Sequence, residues 1–285
     1  MKEFFMNTLT LPVIQASPPK VSSLLTISSD AKTVKGQKKG YLTAIQYLAP
    51  SDVSGIVNLC IWASEGCKLA CLNTAGRASF DTNIEKARIN RTIWYVRFKP
   101  HYWARLVKEL QAFIRKANRM NLTPVFRPDG TSDQPWERMK IVGTEFDGLT
   151  IFETFPELQI YDYTKFPYTK RETLPNNYNL TYSYSEDTTP GMLADNLNNG
   201  RNVAVVFNVC KFNNKGKHHN KCTCAFPEFW NGYKVISGDE SDLRFNDESG
   251  VIVALHAKGD ARTDESGFVV NINSELKKYI SRLIK

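Results

Sequence analysis

Cys60, Cys67 and Cys71 sit together in LCIWASEGCKLACLNTAGR, residues 59–77. Thiolates are soft ligands, and local groups of them hold zinc or iron–sulfur clusters. A structural zinc ion takes four ligands, so three thiols leave it one short. A [4Fe–4S] cluster on three cysteines keeps one iron open to a substrate or cofactor. Cys67 and Cys71 are four residues apart, the spacing of one helical face. The alternative is that the three are small buried hydrophobes, packed closely beside Gly66, Ala70 and Gly76. The compartment favours ligation. Disulfides need export to an oxidising space. The N-terminal stretch MKEFFMNTLTLPVIQASPPK is interrupted by Asn7, Thr8, Thr10 and Pro12. It has no clean apolar core of about 7–15 residues, the length of a signal peptide. No run approaches the roughly 18 apolar residues of a membrane span. The expectation is a cytoplasmic protein with reduced thiols and no membrane association, in which Cys60, Cys67 and Cys71 bind metal.

A second constellation occupies CKFNNKGKHHNKCTC, residues 210–224. Cys210, His218, His219, Cys222 and Cys224 bring together the other three cysteines and two of the four histidines. Such density suits tetrahedral zinc, although Cys222 and Cys224 are spaced more tightly than in a zinc finger. The lysines among them suit phosphate, and a bare basic loop is the competing reading. The whole chain of 285 residues carries 37 Lys and Arg against 29 Asp and Glu, a formal net charge of +8. That balance favours an anionic partner: a nucleotide, nucleic acid or phosphorylated small molecule. It fixes no oligomeric state.

These residues need elements to position them. Residues 1–24 read as an irregular lead-in, and 25–285 as one α/β domain carrying the Cys/His-rich loop at 210–224. Lys32, Lys35, Lys38 and Lys39 read as a basic loop able to touch phosphates. YLTAIQYLAP, LTPVFRPDG, LQIYDYTKF, YNLTYSYSE, RNVAVVFNV, YKVISGDES and GVIVALHAKG read as strands, several of them apolar throughout as in parallel sheets. Thr82 and Glu85 have capping-box spacing and predict a helix start. Pro100 opens a second helix. Its Trp103, Leu106, Val107, Leu110, Phe113, Ile114 and Ala117 fall on one face and predict core. TPGMLADNLNNG and NSELKKYISRLIK predict two more helices. Alternating strands and helices, with no glycine-rich phosphate fingerprint after the first strand, favour a parallel (β/α) barrel or partial barrel of about seven strands. In such a fold the loops after the strands share one mouth. The cysteine loop, RPDGTSD, YDYTK, YSYSED, SGDESDLRF and LHAKGDAR all occupy that position.

Six segments carry a family resemblance: SDAKTVKGQKKGYLTAIQYLAP, CIWASEGCKLACLNTAGR, FRPDGTSDQPWE, YDYTK, SGDESDLRF and AKGDAR. From about Ser29 to Val270 the chain resembles the uncharacterised bacteriophage proteins related to gene product 88. More distantly, it resembles phage proteins of the spore photoproduct lyase branch of radical S-adenosylmethionine enzymes. In those a strand precedes a three-cysteine loop, and later strands end in Thr-Lys and Ser-x-Glu. Here the matching positions are Cys60, Cys67 and Cys71, then Thr164 and Lys165, then Ser185 and Glu186. Both cysteine gaps are longer than that branch uses. The resemblance implies a [4Fe–4S] cluster with S-adenosylmethionine as cofactor, met by Asp129 and Gly130 of PDGTSD. It implies that Asp129, Asp133, Lys165 and Glu186 surround cofactor and substrate, with Asp239, Asp242 and Arg244 on the far side. It also implies residence in the cytoplasm of the host cell. Two alternatives stand beside it. One is a metal-free barrel enzyme that exchanges bases in nucleic acid, with Asp129 and Asp239 as nucleophile and acid/base. The other is a zinc-stabilised nucleic-acid-binding protein without catalysis.

Overall fold

The apolar runs assemble into one sheet. A computed structural model describes residues 17–27, 31–71, 73, 81–209 and 225–272, and those residues contain ten strands and six helices. The strands are β1 (Leu25–Ile27), β2 (Tyr41–Gln46), β3 (Thr123–Arg127), β4 (Gln159–Thr164), β5 (Tyr178–Ser183), β6 (Val203–Asn208), β7 (Phe229–Trp230), β8 (Tyr233–Ser237), β9 (Ile252–His256) and β10 (Val270–Asn271). The helices are α1 (Ala31–Gln37), α2 (Glu65–Leu69), α3 (Thr82–Arg97), α4 (Lys99–Arg119), α5 (Ile151–Thr154) and α6 (Pro190–Asn198).

The sheet runs β1-β2-β3-β4-β5-β6-β9-β8-β7, with β10 also paired to β6. Pairing is parallel from β2 through to β8. β1 on β2 and β7 on β8 are antiparallel. The sequential order from β2 to β6 contains no reversal of the kind that creates a doubly wound sheet. The path is linear, so among the described residues the sheet is open and mixed, not a closed parallel barrel. The reason lies at its edges. β1 covers the outer edge of β2, with Leu25 opposite Gln46, and β7 covers β8, with Phe229 opposite Lys234. Edges already paired have no groups left for closure. The strands beyond the expected seven are β1, β7 and β10, each too short for hydrophobic periodicity to register.

β2 is buried along nearly its whole length, as a parallel strand covered on both faces must be. α4 covers it with the expected stripe: Trp103, Leu106, Val107, Leu110, Phe113 and Ala117 are buried, and Ile114 is partly buried. Tyr102 joins them, and its hydroxyl donates to Gln46 Oε1 at 2.5 Å. Fully buried Trp136 sits against Tyr95 and Trp103, with ring centroids 6.0 Å away in each case. α3 starts where expected, but its cap is Asp81, whose carboxylate accepts from Asn83 N at 2.9 Å. Pro100 stands in the first turn of α4.

Two further expectations need amendment. The lysine-rich segment is not a loop throughout, because α1 forms over Ala31–Gln37 and buries Thr33. The lead-in has no helix or strand over 17–24, but α3 and α4 fasten it down. Trp94 Nε1 donates to Pro19 O at 2.6 Å, and Arg105 Nη1 donates to Val21 O at 2.9 Å. Glu109 accepts from the backbone N–H groups of Leu24 and Leu25. The expected last helix and the Cys/His-rich segment 210–224 lie outside the described residues.

Candidate active site at the C-terminal edge of the sheet

The C-terminal ends of β2, β3, β4, β5 and β9 surround a cavity of about 440 Å³. Cys60, Cys67 and Cys71 all line it, along with Asp129, Gly130, Asp133, Lys165 and Asp242. Cys60 and Asp242, 182 residues apart in sequence, thus meet at one mouth only because parallel strands all point the same way. β5 helps to open it. β5 pairs with β6 only at Tyr182 and Ser183, and β10 takes that edge of β6 farther on, at Phe207 and Asn208.

The cysteine loop is anchored at both ends. Leu59 O accepts from Asp133 N at 2.9 Å and from Gln134 Nε2 at 2.9 Å. Ser64 caps α2, with its Oγ accepting from Cys67 N at 3.2 Å. Glu186 then clamps the turn: it accepts from Ser64 Oγ at 2.8 Å and from Gly66 N at 2.6 Å. A Cβ on Gly66 would lie 2.8 Å from both Glu186 oxygens and 2.1 Å from Ser266 Oγ, so only glycine fits. Gly130 makes an equally close approach, since a Cβ there would stand 2.6 Å from Gln46 O. Burial pushes the Cys60 thiol up to about 12 and raises Cys67 and Cys71 as well. Bound metal would reverse that preference, because the ligand is the thiolate. Among the described residues no group of three or more His, Cys, Asp or Glu side chains converges to hold a metal ion.

The charged groups form a linked network. Asp133 accepts from Thr164 Oγ1 at 2.9 Å and Lys165 N at 2.7 Å, with Arg171 Nη1 at 3.5 Å. Burial, reinforced by Asp129, pushes its carboxyl up to about 7. Asp129 accepts from Ser132 Oγ at 2.5 Å and Gln134 N at 2.9 Å, so it closes its own loop, and burial raises its carboxyl. Lys165 donates to Ser183 O, Ser183 Oγ and Tyr184 O at 2.8–2.9 Å. An ammonium has three protons, so it is fixed as a charge. Burial lowers it, while Cys67 and Asp133 oppose that shift. Arg127 lies 3.3 Å from Asp162 and 3.1 Å from Asp242, and stacks over Tyr163 at 4.9 Å. Burial works against its charge, yet Asp242 and Asp162 hold it well above its ordinary range. Asp242 also accepts from the hydroxyls of Tyr161 and Tyr163.

The other sequence candidates stand behind the wall. Glu186 acts on the cysteine loop from outside the cavity lining. Arg244 turns back on Ser241 O and lies 3.1 Å from Asp247. Asp239 accepts from His256 N at 3.1 Å and contacts His256 Nδ1 at 2.5 Å. His256 itself lines the cavity, as do Arg88 and Arg127. None of these three stood among the sequence candidates. His256 carried a legible signal, because it ends the apolar run of β9 at the mouth. Arg88 carried none, since α3 brings it in through tertiary packing. Cys210, His218, His219, Cys222 and Cys224 lie outside the described residues.

The sequential parallel sheet, with a cavity at its C-terminal edge, defines an α/β protein. The family model for gene product 88 matches residues 23–272, and the chain belongs to that phage-type family. No curated protein and no solved structure matches it. No helix among the described residues is long and apolar enough to cross a membrane.

Proposed function

We propose that this chain is an iron–sulfur enzyme of the host-cell cytoplasm, acting on a nucleotide or nucleic-acid substrate at the mouth of its sheet. The carrying observation is that Cys60, Cys67 and Cys71 line one cavity together with Asp133 and Lys165. Three thiols match in number the protein ligands of a [4Fe–4S] cluster with one open iron, whereas a structural zinc ion takes four. In this reading the seven neighbouring parallel strands from β2 to β8 act as a partial barrel. When bound, the cluster supplies single-electron transfer to a cofactor such as S-adenosylmethionine.

The chain's own residues supply position and charge. Glu186 and Ser64 fix the turn that bears Cys67. Gly130 lets the loop after β3 press onto the end of β2, and Asp129 holds that loop closed. Lys165 places a fixed positive charge in the wall, suited to an anionic group. Asp133 holds a proton near neutral pH and faces the same space. Asp242 and Arg127 form the opposite polar wall. Arg244 and Asp239 act behind it, through Ser241 and His256.

Oxygen-free purification and reconstitution test the reading. The expected result is about four irons and four sulfides per chain, with the brown colour of a cluster. Cys67→Ala should lose that iron while remaining folded. A wild-type chain that stays colourless and iron-free after reconstitution would overturn the proposal and move the chemistry to Asp133 and the Asp239–His256 pair.

A further inference from the structure

A second pocket, of about 310 Å³, lies between the lead-in and the outer face of α3. Asn83, Lys86, Asn90 and Arg91 line it from the helix, and Lys20 and Ser22 from the lead-in. The helical positions follow the spacing of one face, so the helix presents them together. Among the described residues no acidic side chain lines the pocket.

We propose that this pocket binds a phosphate group, with Arg91 at its base and Lys20 and Lys86 at its rim. Arg91 is only 9% exposed. Its Nε donates to Ser23 O at 2.8 Å, and among the described residues neither Nη group has a hydrogen-bond or ion-pair partner. The Nη donors therefore stay open toward the pocket, and a planar fork of donors suits phosphate oxygens. Glu109 acts on Arg91 as an opposite charge, but it is already taken by Arg105 and by the N–H groups of Leu24 and Leu25. Arg88 and Arg105 add further positive charge. The walls are built in advance: Asn90 Nδ2 donates to Lys20 O at 3.2 Å, and Trp94 Nε1 donates to Pro19 O. The phosphate is either a free anion or part of a nucleic-acid backbone. The site is independent of the cysteine cavity.

Calorimetric titration of the full chain separates these sources, using inorganic phosphate in one arm and a single-stranded oligonucleotide of about ten nucleotides in the other. Lys86→Glu, at an exposed position, reverses a rim charge without touching the core, and Arg91→Gln removes the base. If free phosphate is the ligand, its binding weakens at least tenfold in both variants and oligonucleotide binding does not change. If a backbone phosphate is the ligand, oligonucleotide affinity falls about tenfold in Lys86→Glu and its salt dependence drops by about one ion. Absence of both ligands from the wild type, or equal binding by wild type and Lys86→Glu, overturns the proposal. Lys86→Glu decides the matter alone if Arg91→Gln does not fold. Iron content plays no part in either result.

Discussion

Gly66 and Glu186 should behave as one unit. In Gly66→Ala the new methyl group would stand 2.8 Å from both oxygens of Glu186 and 2.1 Å from Ser266 Oγ. Ser266 cannot swing away freely, because its hydroxyl donates to Asp264 at 2.6 Å. Overpacking of this kind costs about 1–3 kcal/mol. The displaced carboxylate also surrenders its bonds to Gly66 N and Ser64 Oγ, each worth about 1.5–3 kcal/mol for a charged acceptor. Summed, the local cost reaches about 4–9 kcal/mol as an upper bound, most of it in the clamp on the cysteine loop. Glu186→Ala removes the same two bonds and opens the space the methyl group needs. Once Glu186 is absent, Gly66→Ala should cost at least about 1 kcal/mol less than it does in the wild type. Urea unfolding of the four chains in the cycle measures this. Additivity within about 0.5 kcal/mol would show that Glu186 does not hold the loop through Gly66, and the positioning role given to Glu186 would fall.

Asp133 gives a pH test. Its folded carboxyl is raised to about 7 from the ordinary 3.8, so the folded chain binds the proton more tightly than the unfolded one. Its contribution is complete below about pH 4 and is lost as pH rises through 7. Asp133→Asn should gain on the wild type by about 1 kcal/mol per pH unit across that window, measured by urea unfolding; a flat difference would refute the shift. Trp136→Ala empties a fully buried site between Tyr95 and Trp103 and should cost about 3–5 kcal/mol, read from the unfolding midpoint. Arg127→Met removes the cation shared by Asp162 and Asp242 and should cost about 3–5 kcal/mol at neutral pH, easing in acid as the Asp162 carboxyl, raised by burial, takes up a proton. A loss of stability independent of pH would argue against that ion pair.

The sequence by itself determined the elements and their burial. The stripe of Trp103, Leu106, Val107, Leu110, Phe113 and Ala117 marked the buried face of α4, because helical period and hydrophobicity are local properties of the chain. The seven longer strands were legible for the same reason. So was the place of the cysteine loop and RPDGTSD, since strand direction sends each following loop to the same edge. Tertiary structure alone decided the rest. Whether the sheet closes depends on what covers its edges, and β1 and β7 are too short to announce themselves. Asp129, Asp133 and Glu186 looked alike as acids beside glycine or serine. Burial and hydrogen bonding separated them: one closes a loop, one holds a proton near neutral pH in the cavity wall, and one clamps the turn bearing Cys67. Arg88 joined the cavity only through the tertiary packing of α3, whereas Arg127 and His256 end strands that the sequence already sends to that edge. Their surroundings, and hence their chemistry, exist only once the fold has formed.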